Sequence, residues 1–89
     1  MNEQIWKFEL SPKITIHMPE NAQVLSAKDQ GANICIWVLV RPLAPIVLRN
    51  FEVYRTGHSI DIPESLKFID TVMLDDGGIN EFHVFERVQ

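Results

Sequence analysis

The sequence predicts an all-β fold: one small domain of six or seven short, mostly antiparallel strands in a sandwich or barrel-like arrangement. Three observations predict it. Apolar and polar residues alternate with period two through nearly the whole chain, which is how a strand presents one face to a core. Turn-forming residues recur between the alternating runs. No segment carries a convincing 3.6-residue period of the kind an amphipathic helix needs.

The elements follow in order. In "QIWKFEL" Trp6, Phe8 and Leu10 alternate with Lys7 and Glu9, and Ser11-Pro12 closes the strand. In "KITIHM" Ile14, Ile16 and Met18 share one face and Lys13, Thr15 and His17 the other, before a turn at Pro19-Glu20-Asn21. Residues 22–29 suit either a short strand or one helical turn, and the strand is favoured. After a turn at Gly31, "NICIWVLV" reads as a central strand, apolar on both faces and therefore expected to be covered on both. Arg41-Pro42-Leu43-Ala44-Pro45 is a rigid loop, because proline fixes its own backbone angle and donates no hydrogen bond. "IVLRNFEVYRT" places Val47, Arg49, Phe51, Val53 and Arg55 on one side and Leu48, Asn50, Glu52, Tyr54 and Thr56 on the other. Residues 57–65, with Gly57 and Pro63, form the longest irregular connection. Two last strands, "LKFIDTVML" and "INEFHVFERV", are joined by the hairpin signal Asp75-Asp76-Gly77-Gly78. The expected core comprises Trp6, Phe8, Ile14, Ile16, Ile34, Ile36, Val38, Phe51, Val53, Phe68, Val72, Phe82 and Val84.

Size and charge bound the function. Eighty-nine residues make one domain, and a chain this short buries only roughly 60 to 65% of its unfolded surface. A single cysteine forms no internal disulfide, and no Cys/His cluster has zinc spacing, so oligomerisation is the remaining staple. Cys35, inside an apolar run, reads as a small core residue in a reducing compartment. The longest apolar run, 34–40, is too short to span a membrane, and the expectation is a soluble cytoplasmic protein. A net charge of −4 disfavours long nucleic acid. It leaves room for a small phosphorylated ligand, which a few arginines can hold at short range.

Among candidate chemistries, the three histidines have no metal spacing. His17 and His83 read as surface residues, whereas His58, beside Thr56 and Gly57, reads equally as a loop residue and as a ligand contact. Asp75-Asp76 reads as a solvated turn. No phosphate loop, nucleophile-base pair or metal motif stands out, so no catalytic residue, metal or cofactor is expected. Arg41, Arg49 and Arg55 fall in one short window with Tyr54, Thr56, Gly57 and His58, and Trp37 lies just upstream. If strand 46–56 pairs with strand 33–40, Trp37 could stack on a nucleobase while an arginine grips phosphate. The plainer alternative is a core tryptophan and solvated arginines.

The words "IWKFEL", "CIWVLVRPLAP", "VYRTGHSI" and "FIDTVMLDDGGINEFHVFE" resemble, in order and spacing, a family of small uncharacterised domains common in bacteriophage and prophage genomes. The Thr-Gly-His and Phe-His-Val-Phe words are its most specific parts. Phage proteins of this size and type include sponges that sequester the cyclic nucleotides or cyclic ADP-ribose derivatives of the bacterial defence systems CBASS and Thoeris. The resemblance implies that Arg55, Thr56, Gly57 and His58 match the family's loop word and that Trp37 and His83 lie in its strand words. One departure is Arg41 before Pro42, where relatives carry an acidic residue.

The functional expectation is therefore a non-catalytic sponge that binds a small nucleotide signal between subunits of a homo-oligomer, a dimer or tetramer, in the host cytoplasm. Its expected ligand contacts are stacking by Trp37 or Tyr54, phosphate contacts by Arg49 and Arg55, and polar contacts by Thr56, Gly57, His58 and His83. Two alternatives stand beside it: a module that binds a host protein through a sheet edge or apolar patch, and a small hydrolase using His58 or His83.

Overall fold

A computed structural model describes residues 2–74 and 80–88. Seven strands form wherever the alternation holds: β1 (Gln4–Glu9), β2 (Lys13–Pro19), β3 (Gln23–Gln30), β4 (Asn33–Val40), β5 (Ile46–Arg55), β6 (Leu66–Leu74) and β7 (Asn80–Arg87). A 3₁₀ turn at Pro63–Ser65 precedes β6. The ambiguous stretch after Asn21 is a strand, and the expected Asp75–Gly78 hairpin turn lies outside the described residues.

The strands divide into two antiparallel sheets, ordered β1-β4-β3 and β2-β5-β7-β6. The sheets stay open, so the arrangement is a sandwich and not a barrel. Their facing sides build the core from Ile34, Ile36, Val38 and Val40 of β4, Phe51 of β5, Val84 of β7 and Met18 of β2. Phe51, Ile36, Val38 and Val84 are fully buried, and each such side chain contributes roughly 1.5–3 kcal/mol by leaving water.

Three expectations need correction. β4 and β5 are not neighbours: β4 lies between β1 and β3, and β5 lies between β2 and β7. β4 is centred in its sheet but covered by a second layer only on its inner face. On the other side Trp37 and Leu39 are half-exposed, while Cys35, between Glu9 and Lys28 on the neighbouring strands, is buried. Phe68 is 56% exposed and not core. The reason is a bulge: the β6–β7 register shifts between Phe68 and Asp70. The extra residue reverses the alternation, so Ile69 packs against the core in place of Phe68.

Candidate functional site

Pairing of β5 with β7 decides which polar residues meet. Glu52 stands opposite Phe85 and Tyr54 opposite His83. Across β7, Phe68 stands opposite Phe85 and Thr71 opposite His83. With Val53 and Val84 turned inward, the outer face of the four-stranded sheet carries Glu52, Tyr54 and Thr56, then Arg87, Phe85, His83 and Glu81, then Phe68, Thr71 and Met73.

The centre of this face is a linear hydrogen-bond chain. His83 Nε2 lies 2.7 Å from Thr56 Oγ1, and His83 Nδ1 lies 3.0 Å from Thr71 Oγ1. Thr56 Oγ1 also donates to Glu81 Oε1 at 3.2 Å. A carboxylate only accepts, so one self-consistent direction runs from the Thr71 hydroxyl to Nδ1, and from Nε2–H through Thr56 to Glu81. Both ring nitrogens are then used, and the imidazole plane is fixed.

Next to the chain lies a bidentate ion pair. Arg87 donates from Nε to Glu52 Oε2 and from Nη2 to Glu52 Oε1, both at 2.7 Å. Tyr54 OH donates to the same carboxylate. The Arg87 hydrogen bonds hold the Glu52 carboxyl at about 2, well below its ordinary 4.5, against the opposing effect of burial and with further help from Tyr54. Arg87 rises in turn, chiefly through the same bonds. Tyr54 is raised by its bond to Glu52 and by burial. Its ring meets Phe85 edge-on at 6.0 Å, and Phe85 meets Phe68 edge-on at 5.6 Å, so three aromatics form a row.

Arg87 also anchors the irregular connection. It donates to the carbonyls of Ile62 at 2.7 Å and Asp61 at 2.6 Å, tying the loop to the sheet face. Ile62 itself has φ +45°, a left-handed conformation unusual for a β-branched residue. At the start of this loop Gly57 has φ +91°, which glycine supplies without strain, and the His58 amide donates to the Arg55 carbonyl at 3.0 Å. The His58 side chain is exposed at the loop tip.

The expected site residues therefore separate. Tyr54, Thr56, Gly57, His58 and His83 come together at one end of this face. Arg55 stands at the same end on the inner parity of β5, where it donates to Asn80 Oδ1, and no carboxylate among the described residues pairs with it. Arg49 is spent elsewhere: it donates to both oxygens of Glu86 at 2.6 and 2.7 Å and to the Ala22 carbonyl at 2.5 Å, 5.9 Å from the Phe51 ring centroid. Those bonds raise it further, against burial, so it is a structural arginine tying β5 to β7 and to the turn before β3. Trp37 lies on the outer face of the other sheet, between Lys7 and Ser26, and cannot share a ligand with Tyr54 in one chain. Arg41 sits past the far end of β5, near Glu3 at 3.7 Å.

Glu52, Arg87, Thr71 and Glu81 were missed at the sequence level. Their signal was the alternation itself, which puts Glu52 with Tyr54 and Arg87 with His83; the β5–β7 register was the absent link. Among the described residues, no cluster of three or more His, Cys, Asp or Glu could hold a metal ion. No helix among them is long and apolar enough to cross a membrane.

No curated protein and no solved structure matches this chain. A family model does match over residues 1–89, and the chain thus belongs to DUF7352, a family of domains of unknown function.

Proposed function

We propose that this protein is a non-catalytic binding protein whose outer four-stranded sheet face holds a small nucleotide-type signal, sequestering it without cleaving it. The observation that carries the reading is that ring surface and oriented polar atoms share that face, with donors for phosphate at the same end of the sheet, Arg55 among them on the inner parity of β5. Tyr54, Phe85 and the half-exposed Phe68 offer ring surface for a base. The Thr71–His83–Thr56–Glu81 chain offers oriented polar atoms for a base edge or ribose. Arg55, held by the neutral Asn80 side chain, and the exposed His58 offer donors for phosphate.

The face is an open sheet surface, and tight capture of a small molecule needs most of its area enclosed. A second subunit closing over the face would enclose it and exclude water, with little ordering cost from a rigid sheet. Sequestration breaks no bond, so it requires neither a nucleophile nor a metal ion of the site. The phage origin and the defence-signal class come from the resemblance alone and belong to this proposal.

A second reading, a module that binds a host protein, draws on Phe68 and Met73, which are 56% and 53% exposed on the same face. Equilibrium depletion separates the readings. Purified protein is incubated with cyclic dinucleotides, cyclic trinucleotides and cyclic ADP-ribose isomers, and bound material is released by denaturation. Intact release, weakened at least tenfold in Arg55→Ala and His58→Ala proteins, is the expected result. Release of cleaved product would identify a hydrolase, and no depletion by any compound would leave the protein-binding reading.

A further inference from the structure

Every open sandwich has edge strands, and each edge here except one carries a proline or a register shift that discourages pairing. β3 and β6 each contain a register shift, between Val24 and Ser26 and between Phe68 and Asp70, and these two edges pack beside each other on one flank. β2 runs between Pro12 and Pro19. Its pairing with β5 continues through Pro12, whose carbonyl accepts from Val53, so the odd-numbered residues of β2 face the open edge. Pro19 is one of them and has no N–H to offer. β1 has no proline, glycine or bulge in its six residues.

The direction of the free β1 groups follows from one bond. The Leu10 amide donates to the Ile34 carbonyl at 2.8 Å, and this pair continues the β1–β4 register. Even-numbered residues of β1 therefore bond to β4, and the N–H and C=O groups of Ile5, Lys7 and Glu9 point outward along the edge. Beside that edge, three residues of core type remain only partly buried: Trp6 and Phe8 on β1 and Ile14 on β2. A neighbour along this flank would cover all three.

We infer that β1 is a self-pairing edge, through which two copies of this chain join antiparallel with Lys7 of each copy opposite Glu9 of the other. The two-fold relation keeps inner faces together, so residues of like parity must meet. Of the registers that meet this condition, centring on Lys7 sets two ammonium groups against each other. Centring on Trp6 sets Lys7 against Ile5. Centring on Phe8 sets Lys7 against Glu9 twice on the outer face, and on the inner face Phe8 against Phe8 and Trp6 against Leu10. Opposite charges directly across strands stabilise, and like charges destabilise. That register also places outward-pointing Lys7 and Glu9 as a hydrogen-bonded pair and joins two three-stranded sheets into one of six. The inference concerns a different surface from the ligand face and stands without it.

Charge reversal tests it on exposed side chains that the fold does not need. Sedimentation velocity is run on the intact chain from micromolar to submillimolar concentration, with circular dichroism to verify folding. The expected result is a wild-type dimer, weakened about tenfold or more by Lys7→Glu and by Glu9→Lys, because each change makes both cross-strand pairs repulsive, and restored by the double reversal. Hydrogen exchange should show the Lys7 and Glu9 amides protected only at concentrations where the dimer forms, while the Trp6 and Phe8 amides are protected throughout. A wild-type monomer at every concentration overturns the inference, as does a dimer indifferent to both single reversals. Protection of those two amides only when a different protein is added would give the edge to a foreign strand, with the same consequence.

Discussion

On the outer face of the three-stranded sheet, Trp37 stands between Lys7 and Ser26 and, among the described residues, makes no side-chain hydrogen bond. On the outer face of the four-stranded sheet, side-chain bonds link Thr56, His83 and Thr71 in one set and Tyr54, Glu52 and Arg87 in another, and the second set reaches the loop at Asp61 and Ile62. Both faces are pleated β-surface of the same kind. The first face also carries polar residues, with Lys7, Glu9, Ser26 and Lys28 around Trp37 and Cys35, but no side-chain hydrogen bond among the described residues joins them. The second has polar groups fixed in place by neighbours, at a cost in conformational entropy. An ordered polar face beside a positioned loop is what ligand recognition uses, and that difference locates the candidate site on one side of the sandwich.

Breaking the comparison at its strongest point gives the largest effect. Arg87→Met should give the largest loss of stability in urea titration, because Glu52 is left buried without its cation and the loop loses both anchors. Protonating Glu52 tests the same pair from the other partner. Its folded value near 2 lies below the ordinary 4.5. Its contribution is therefore complete above the higher value and is lost as pH falls through the lower one. Wild-type stability should drop by about 2 kcal/mol across that window beyond the drop in Glu52→Gln, read as the difference between their acid-unfolding curves.

Smaller effects sharpen the contrast. Gly57→Ala should cost about 1 kcal/mol through its positive φ, although open space surrounds the added methyl group. Its thermal midpoint should fall while the fold persists. Last come two substitutions of similar modest cost, His83→Leu and Trp37→Thr, each about 1 kcal/mol or less. Only the first should lower nucleotide capture in equilibrium depletion. Equal loss from both would show that the two faces share the ligand and would remove the distinction drawn here.

Much of the fold was legible because alternation is a local property. Each run of period two became a strand, including the ambiguous one at 23–30, since a half-buried pleat selects the same pattern wherever it occurs. Phe68 was misplaced because a bulge moves the phase by one residue and leaves no distinctive residue type behind. Of the residues expected to act together, the loop word and His83 lie at one end of one sheet, whereas Arg49 and Trp37 lie elsewhere. Closeness in sequence put Arg49 beside Arg55, but their roles depend on what lies across the strand: Glu86 for one and Asn80 for the other.

By itself, the sequence determined the strand content and, outside the bulged β6, most of the inward residues, because those depend on spacing within one segment. Only the tertiary structure decided that β5 lies between β2 and β7 and not beside β4, which sends Trp37 to one surface and Tyr54 to the other. Strand partners are chosen by contacts between distant segments, where many pairings offer similar backbone bonds and side-chain packing across the whole sandwich breaks the tie.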